Sequence, residues 1–460
     1  MPPASQLFGS NKRVFAHYFY PFPLSIDDKP SATDYYNTEY LTPTGESDKH
    51  LDAGGFLRAR PLPVPVDSSA TWPLDNMEKE VQMAIAAGIT GFTVDVLGAN
   101  QWDAGSQVQN LLLAAAAVDS RFKVVVMPDL SALGTSQPVV QETIASVASS
   151  PAAYHLPDGR LVATSFNASL GSLSFWSSIL GDLSDAGVDV AFVPTFLGDG
   201  FDTTYAPVCY GYGSWGTATP GAEAGEEGKP AGAHDGGQIY MMPELTQQYR
   251  PYAFSFWEAY NSLAFRDGWG SAIDGGTDWV QVVTWSDFSE SGEIEPYTDA
   301  TLAPDIGTGF YDLNAYYASW FLLGQPPTID HDVLYYFYRR EPVAAAAPAQ
   351  SPPTTAVLAG GTPGVDQIEL LAFLVAPGTL SIAINGQVFT QAAPAGLTSF
   401  TTPLQPGTPQ FALLRDGGPV ITFDGGIQIY GDAGLPAGTL DLTYWSGSAS
   451  SAGVCQLAVP

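Results

Sequence analysis

The amino-acid sequence of 460 residues predicts an α/β protein, a (β/α)8 barrel followed by a C-terminal all-β sandwich domain. Three observations predict it. Apolar segments of strand length alternate with amphipathic segments as far as residue 342, which is typical of a parallel sheet covered by helices. An Ala/Pro/Gly-rich linker follows at residues 343–364. Beyond it, short alternating runs are separated by turn signals, as in a sandwich.

The first β-α-β unit has the clearest boundaries. Val14 to Tyr20 (VFAHYFY) is an apolar run that predicts a buried strand. Apolar side chains then recur at helical spacing at Leu74, Met77, Val81, Ala84 and Ile85. Gly88 is placed to end this helix, and Ile89 to Val96 (ITGFTVDV) is rich in β-branched residues and predicts the second strand.

The same alternation repeats along the chain. Further strands are predicted at 122–127, 161–166, 188–196 and 280–284, and further helices near 106–118, 139–148 and 173–186. A closed barrel and an open doubly wound sheet both fit this order. No GxGxxG sequence opens a helix, so no sequence motif supports the open doubly wound sheet.

Two stretches interrupt the pattern, and we interpret both as insertions into the barrel. Residues 21–72 are rich in proline and aromatic residues and are too long for an ordinary loop between a strand and its helix. They are expected at the C-terminal face, where barrel active sites lie. Residues 210–237 are rich in glycine, which predicts either a mobile loop or lid, or a tolerated surface insertion.

After Arg340 the composition changes, and we predict a second domain. The barrel domain with its two insertions is placed at residues 1–342 and the sandwich at 343–460. Past the linker the sequence contains a single cation, Arg415. Turn signals at Asn385, Asp416 and Asp424 separate alternating runs such as TLSIAI and QFALL.

The charge of the chain excludes whole classes of protein. There are 16 Lys and Arg against 47 Asp and Glu, a formal net charge of -31, so binding to nucleic acid through phosphate neutralisation is excluded. With 45% hydrophobic residues the chain can fill a large core. The longest apolar run, Leu111 to Val118, is far shorter than the roughly 18 residues that a membrane span requires.

Cellular location is left open by the N-terminus. MPPASQLFGS has no charged start followed by an apolar stretch, so both a cytosolic protein and a secreted protein whose signal has been removed fit.

The two cysteines, Cys209 and Cys455, exclude a disulfide-dense scaffold and a four-thiolate zinc site. Whether they pair is also open.

No metal or other cofactor is expected. The five histidines are scattered and lack HxH or HExxH spacing, which disfavours metal-dependent hydrolysis. The GxSxG motif of serine hydrolases is absent as well. Carboxylates beside aromatic residues are therefore the remaining candidates for catalysis.

The densest cluster of that kind is WVQVVTWSDFSESGEIEPY, residues 279–297. The strand at 280–284 would deliver Trp285, Asp287 and Glu290 to the C-terminal face of a barrel. Glycoside hydrolysis requires a protonated carboxyl, an ionised one and aromatic surface for sugar rings. The alternative is that the two carboxylates only cap the next helix, and the motif alone favours that alternative.

A family resemblance changes the balance. TWSDFSES at residues 284–291 resembles the (S/T)WNDYGES signature of glycoside hydrolase family 71, the α-1,3-glucanases also called mutanases. VFAHYFY resembles the first strand of that family, MEKEVQMAIAAGITGFTVDV its first helix and second strand, and FKVVVMPD its third strand. IYMMPE, NSLAFRDGW, the stretch 309–342 and IELLAFLVAPGTLSIAINGQVF are similar to later family segments, so the resemblance covers most of the chain.

The resemblance implies roles for individual residues. Asp287 and Glu290 correspond to the catalytic pair, with Glu290 as general acid and Asp287 as general base or charge stabiliser. Eight further residues are substrate-binding candidates, namely His17, Tyr20, Asp95, Trp102, Asp129, Glu244, Trp257 and Trp285. For each of them the alternative is an ordinary core residue, polar with satisfied hydrogen bonds or aromatic.

The chain also departs from the family pattern. Ser286 and Ser289 replace the usual Asn and Gly, Phe288 replaces Tyr, and the insertion at 21–72 has no counterpart. These departures indicate a divergent member with altered subsites.

We therefore expect a secreted, monomeric, metal-independent hydrolase of α-1,3-linked glucan that acts with inversion. Its partner is expected to be the polysaccharide substrate, with no nucleic acid and no membrane. Two alternatives remain: a related barrel hydrolase of the endo-α-mannosidase type, and a non-catalytic carbohydrate-binding protein of the cell surface. The intact pair Asp287 and Glu290 argues against the second.

Overall fold

Eight parallel strands close into a barrel in the computed structural model of the chain, as the sequence predicts. The structure describes residues 4–101, 103, 105–299, 307–347, 354–431 and 439–452. The barrel strands are β1 (Arg13–Tyr18), β2 (Gly91–Val96), β3 (Lys123–Pro128), β4 (Leu161–Ser165), β5 (Val190–Phe196), β6 (Gly211–Ser214), β7 (Ile239–Leu245) and β8 (Trp279–Val283). Each strand pairs with the next one, and β1 pairs with β8 to complete the barrel.

Helices surround the barrel and cover its outer face. They are α1 (Trp72–Ala86), α2 (Gln107–Val118), α3 (Gln137–Val147), α4 (Leu173–Asp185), α5 (Pro220–Gly225), α6 (Lys229–Asp235), α7 (Leu263–Asp274) and α8 (Gly309–Leu323). Alternate strand residues such as Val280 and Val282 face these helices within the largest hydrophobic cluster. Inside the barrel, Phe15, Met241 and Trp279 belong to a separate buried cluster.

Shorter elements connect these layers. Short helices lie at Ala4–Leu7, Gly45–Asp48 and Leu130–Leu133, and single 3-10 or π turns at Tyr36–Tyr40, Leu51–Ala53, Ala168–Leu170, Thr203–Val208, Glu226–Gly228 and Pro251–Ala253. Short strands lie at Arg60–Pro61, Gln248–Arg250, Ser255–Trp257, Tyr297–Thr298, Ala346–Ala347, Thr354–Thr355 and Val357–Gly360.

Residues 210–237 are not the loop, lid or insertion that their glycine content predicts. They form barrel strand β6 and helices α5 and α6, which are regular parts of the architecture. The strand is only four residues long and contains two glycines, so it carries no apolar alternation. A Cβ at Gly211 would collide with Ile239 of β7, so glycine is required for close strand packing here.

The region 21–72 lies between β1 and α1, as expected, and it packs against the antiparallel domain. Phe22, Tyr36 and Leu57 share one buried cluster with Phe288 of the loop after β8 and with the sandwich core. Arg60 forms a buried ion pair with Asp34, 2.5 Å between Nη1 and Oδ2. The region therefore joins the barrel face to the second domain.

The C-terminal part forms two antiparallel sheets of four strands, which confirms the all-β sandwich. The strands are β9 (Val333–Arg339), β10 (Gln367–Leu374), β11 (Gly378–Ile384), β12 (Gln387–Ala393), β13 (Gly396–Pro403), β14 (Gln410–Arg415), β15 (Gly418–Asp424) and β16 (Tyr444–Ser450). The sheet orders are β13-β10-β9-β16 and β12-β11-β14-β15. Stacking of Tyr336 on Phe411, 5.2 Å between ring centroids, joins the two inner faces.

Strand β9 lies inside the first sheet, between β10 and β16. It precedes the linker, so the hydrogen-bonded sandwich begins upstream of residue 343. We propose that the two domains divide between Gly324, which ends α8, and Asp332.

Buried polar contacts hold the two domains together. Arg339 of β9 pairs with Glu258 of the barrel at 2.8 Å, and both side chains are almost fully buried. Glu369 of β10 accepts hydrogen bonds from the backbone and hydroxyl of Ser262, just before α7. Each of these buried charged side chains has a partner in the other domain. Separating the domains would expose the charged groups to water or leave them buried without a partner.

None of the helices in the described part of the chain is long and apolar enough to cross a membrane.

Removing residues 343–460 is predicted to leave a fragment that aggregates, or that melts on the order of 10 °C or more below the whole chain. The cut takes away both neighbours of β9 and exposes Leu334, Tyr336 and Tyr338, which are buried in the whole chain. Expression of fragment 1–342 beside the full chain, followed by size-exclusion chromatography and thermal unfolding, measures the effect. A soluble fragment with an unchanged melting temperature would contradict it.

Candidate active site

The ends of the barrel strands bring polar side chains together in one cleft of about 410 Å³. His17 lies on β1, Asp95 on β2, Asp129 directly after β3, and both Asp287 and Glu290 on the loop after β8. Since the carboxyl ends of parallel strands meet at one face of a barrel, these residues converge although they are far apart in sequence. The full lining is His17, Phe19, Asp95, Asp129, Phe166, Leu197, Gly198, Trp215, Gly216, Thr217, Gln248, Arg250, Tyr252, Trp257, Asp287, Ser289 and Glu290.

The loop after β8 is fixed by its own hydrogen bonds. The amide of Thr284 donates to the carbonyl of Gly292 at 2.7 Å, and the Thr284 hydroxyl accepts from the amide of Asp287 at 2.8 Å. The Asp287 Oδ1 atom in turn accepts from both the amide and the hydroxyl of Ser289, at 3.0 and 2.6 Å. The Asp287 carboxyl is therefore held in one orientation, with Oδ1 occupied by Ser289.

Glu290 is held by a different set of donors. Arg250 lies 2.9 Å from its Oε1 atom, and Gln248 donates to Oε2 at 2.5 Å. Both partners belong to the short strand Gln248–Arg250 that follows β7. The Arg250 guanidinium also lies over the Trp257 ring, 5.0 Å from its centroid. A cation and an amide thus stabilise the negative charge of Glu290.

Burial favours the protonated form of the Asp287 carboxyl. Desolvation, and then the charge of Glu290, raise the pKa of Asp287 to about 7. Near neutral pH Asp287 is therefore partly protonated, while Glu290 faces Arg250. A carboxyl that is partly protonated near neutral pH can donate a proton or accept one.

His17, Asp95 and Asp129 line the same cleft from the first three strands. Burial lowers the pKa of His17 to about 3, so the imidazole is neutral. Burial and the charges of Asp129 and Asp287 raise the pKa of Asp95 well above its usual range. His17 Nε2 and Asp95 Oδ2 are 3.8 Å apart, too far for a hydrogen bond, and His17 Nδ1 and Asp95 Oδ1 have no hydrogen-bond partner among the described residues. These neutral polar groups suit hydrogen bonds to uncharged hydroxyls.

The other predicted residues have different positions. Trp257 lines the cleft, and Tyr20 is half-buried with its hydroxyl near Asp95 without being part of the cleft lining. Trp102 lies outside the residues that the structure describes.

Glu244 and Trp285 do not reach the cleft. Glu244 lies on the same, helix-facing side of β7 as Tyr240 and Met242. Its carboxyl lies against Gly268 of α7. The Trp285 ring is fully buried in the outer cluster, 5.5 Å from Phe92. Neither side chain is accessible to a sugar in this arrangement.

Sequence reasoning missed several cleft residues. Gln248, Arg250 and Tyr252 follow β7 on a short strand and turn that carry no motif. Trp215 follows β6, in the stretch that was expected to be a loop, and its ring packs edge-on against His17 at 4.8 Å. Arg250 could have been suspected, because it is one of only 16 cations and lies shortly after IYMMPE, a segment that resembles the family.

In the described part of the chain, no group of three or more His, Cys, Asp or Glu side chains is arranged to hold a metal ion. Two of the cleft carboxyls, Asp287 and Glu290, instead accept hydrogen bonds from protein donors.

Comparisons with known proteins show the family and the fold of the chain. The chain is 25% identical over 374 residues to the glucan endo-1,3-alpha-glucosidase agn1 of Schizosaccharomyces pombe, covering 77% of this chain and 87% of that protein. The GH99 endo-alpha-mannosidase from Bacteroides thetaiotaomicron is 16% identical with a TM-score of 0.51, over 67% of this chain and 97% of that chain, which shows a shared barrel fold. The model of glycosyl hydrolase family 71 matches residues 66–458. Because this match includes both domains and most of the sequence, the chain belongs to glycosyl hydrolase family 71.

Proposed function

We propose that this protein hydrolyses α-1,3-glucosidic linkages in α-glucan, using Asp287 and Glu290 as an acid/base pair. The observation that carries the proposal is a buried carboxyl with a pKa near 7 beside a second carboxyl held by a cation, in one cleft at the C-terminal face of the barrel. Membership of family 71 and the similarity to the yeast glucan endo-1,3-alpha-glucosidase support the choice of linkage.

The charges in the free cleft favour Asp287 as general acid and Glu290 as general base. This is the reverse of the assignment that the sequence resemblance implies. Asp287 is buried with a raised pKa and can donate a proton to the leaving oxygen, whereas the Glu290 carboxylate is stabilised by Arg250 and can activate water.

The remaining cleft residues suit binding of a neutral sugar. We propose that His17, Asp95 and Asp129 bind sugar hydroxyls, because all three lie at strand ends and face the same cavity. Trp257 and Trp215 supply apolar ring surface for the C–H faces of sugars. The cleft thus combines hydrogen-bonding groups with aromatic walls, which is the combination that a glycan requires.

We further propose that the reaction inverts the anomeric configuration. Inversion requires roughly 6.5 to 9.5 Å between the carboxyls so that a water molecule fits between base and sugar. Separate donor sets hold the two carboxyls, Ser289 for Asp287 and the pair Gln248 and Arg250 for Glu290. The family resemblance, which implies inversion, supports the same route.

We propose that the enzyme acts outside the cell, as a monomer and without a metal. An insoluble polysaccharide has to be attacked where it is deposited, and the net charge of -31 favours solubility and disfavours self-association.

Asp287→Asn and Glu290→Gln are each predicted to lower turnover of α-1,3-glucan on the order of 10² to 10⁴-fold while preserving the fold. Both substitutions keep the side-chain size and remove only the proton chemistry. Reducing ends released from the glucan measure activity, and circular dichroism measures folding. Glu142→Gln, an exposed carboxylate on α3, is the matched control and should retain full activity.

The same two variants assign the roles. With an α-1,3-glucooligosaccharyl fluoride the leaving group needs no proton, so Asp287→Asn should recover turnover and Glu290→Gln should not. Recovery in Glu290→Gln instead would restore the assignment that the resemblance implies. Near-normal activity of both variants on glucan would contradict the choice of this pair altogether.

The pH dependence follows from the same charges. If Asp287 must be protonated, kcat/KM is expected to fall as the pH rises through about 7. The positive charge of Arg250 lowers the pKa of Asp287, so Arg250→Gln should move this alkaline limb to higher pH. Arg250→Lys keeps a positive charge and should leave the limb near its original position. An unmoved limb in Arg250→Gln would show that another group controls it.

Inversion predicts that the first reducing ends formed from an α-linked glucan are β-anomers. Proton NMR during the first minutes, before mutarotation equilibrates the products, distinguishes the two outcomes. An initial α signal would indicate retention and would require a covalent or substrate-assisted route in place of direct attack by water.

A further inference from the structure

A second cavity lies on the outer flank of the barrel, between helix α8 and the antiparallel sheet that contains β9 and β10. Its volume is about 430 Å³, close to the 410 Å³ of the cleft. It is lined by one face of α8, by the segment 327–331 that leads into β9, and by side chains of β9 and β10. Among the described residues, no member of this lining belongs to the catalytic cleft. The cavity is therefore separate from the proposed reaction site.

Aromatic rings form one wall of this cavity. Tyr316 of α8 packs edge-on against Phe373 of β10, 4.9 Å between ring centroids with a 69° interplanar angle. Tyr335 of β9 contacts the other side of this group, 5.8 Å from Phe373. Phe373 and Tyr335 are buried, whereas Tyr316 is partly exposed and presents its ring to the cavity. Such a supported and exposed ring is a rigid apolar platform.

A carboxyl lies beside the aromatic wall. Asp312 is one helical turn before Tyr316 on α8, so both side chains face the cavity. Burial raises the pKa of Asp312 to about 7, and no charge or hydrogen bond from a described residue contributes to that shift. The carboxyl can therefore both donate and accept hydrogen bonds near neutral pH. Asp330 and His331, paired with each other at 2.5 Å, add polar groups from the segment before β9.

The charge of the site restricts its ligand. Two carboxyls in a chain of net charge -31 disfavour any anion, including phosphate esters and acidic glycans. A partly protonated carboxyl next to an aromatic platform instead matches a neutral ligand that has hydroxyls on its edge and C–H groups on its face. A pyranose ring has this pattern.

We propose that this cavity is a second, non-catalytic binding site for a segment of the α-glucan chain. The identity of the glycan rests on the proposed function, while the site itself lies outside the cleft and uses none of its residues. Its role is to hold the enzyme on insoluble polysaccharide while another segment occupies the cleft. Tyr316 supplies the stacking surface and Asp312 the hydrogen bonds to adjacent hydroxyls.

Retention on insoluble α-1,3-glucan tests the proposal directly. In the Glu290→Gln protein, which is expected to bind without cleaving, Tyr316→Ala and Asp312→Asn should each weaken retention by about fivefold or more. Tyr316→Phe keeps the ring and should retain binding, which separates loss of the platform from loss of fold. Leu170→Ala, an exposed apolar residue that lines neither cavity, is the control and should have no effect.

Activity measurements separate this site from the catalytic one. In the otherwise unchanged enzyme, Tyr316→Ala should slow hydrolysis of insoluble glucan several-fold and leave hydrolysis of soluble α-1,3-glucooligosaccharides unchanged. If Tyr316→Ala hydrolyses both substrates as fast as the enzyme without substitutions does, and is retained equally well on glucan, the second site is overturned and the proposed function stands. If the enzyme without substitutions hydrolyses neither substrate, the proposed function is refuted instead. A Tyr316-dependent rise in melting temperature with tetramethylammonium, without any effect on glucan retention, would assign the cavity to an organic cation and overturn the proposal.

Discussion

The hydrogen-bonded seam between β1 and β8 is the constraint on which the cleft depends. These strands pair in parallel from Arg13 with Trp279 onward, and the amide of Trp285 continues the seam by donating to the carbonyl of His17 at 2.8 Å. This last bond joins the start of the loop that carries Asp287 and Glu290 to the neighbouring strand β1. A parallel barrel has no free edge, so the positions at which its strands end are fixed by closure itself. The loop begins at the end of β8, so the fixed end of this strand determines where the two carboxyls of the loop lie.

Within this frame the electrostatics are dominated by a shortage of positive charge. Four carboxyls line the cleft, but Arg250 is its only cation among the described residues. Arg250 forms an ion pair with Glu290, so no cation of the cleft lining pairs with the three aspartates. Burial raises the pKa values of all three, to about 7 for Asp287 and well above the usual range for Asp95. The cleft thus combines one carboxyl that is bound by a cation with three aspartates whose pKa values are raised.

The architecture and the strand-end residues could be predicted because they follow from periodicity, whereas the direction of individual side chains could not. His17, Asp95 and Asp129 end or follow apolar strands, and strand ends of a barrel share one face. Glu244 and Trp285 are also near strand ends, but they point to the helix layer, and a one-residue change in alternation decides that outcome. Strand β6 escaped prediction because its glycines replace the apolar pattern with close packing against β7. Arg250 was missed since its partner Glu290 lies 40 residues away, and no local rule connects them.

The sandwich takes part in the active site through contacts behind the catalytic loop. Gln247 donates to the carbonyl of Tyr444 at 3.2 Å and accepts from its amide at 2.6 Å, so strand β16 holds the residue that precedes Gln248. Gln248 is the amide that binds Glu290. On the other side of the loop, the hydroxyls of Ser291 and Thr443 are 3.2 Å apart. The domain that sequence analysis places after a linker therefore supports both the loop that carries Glu290 and the strand Gln248–Arg250. A shift of β16 would therefore move Gln248 relative to Glu290. A change in the packing of the sandwich is expected to alter the hydrogen bond between these two residues.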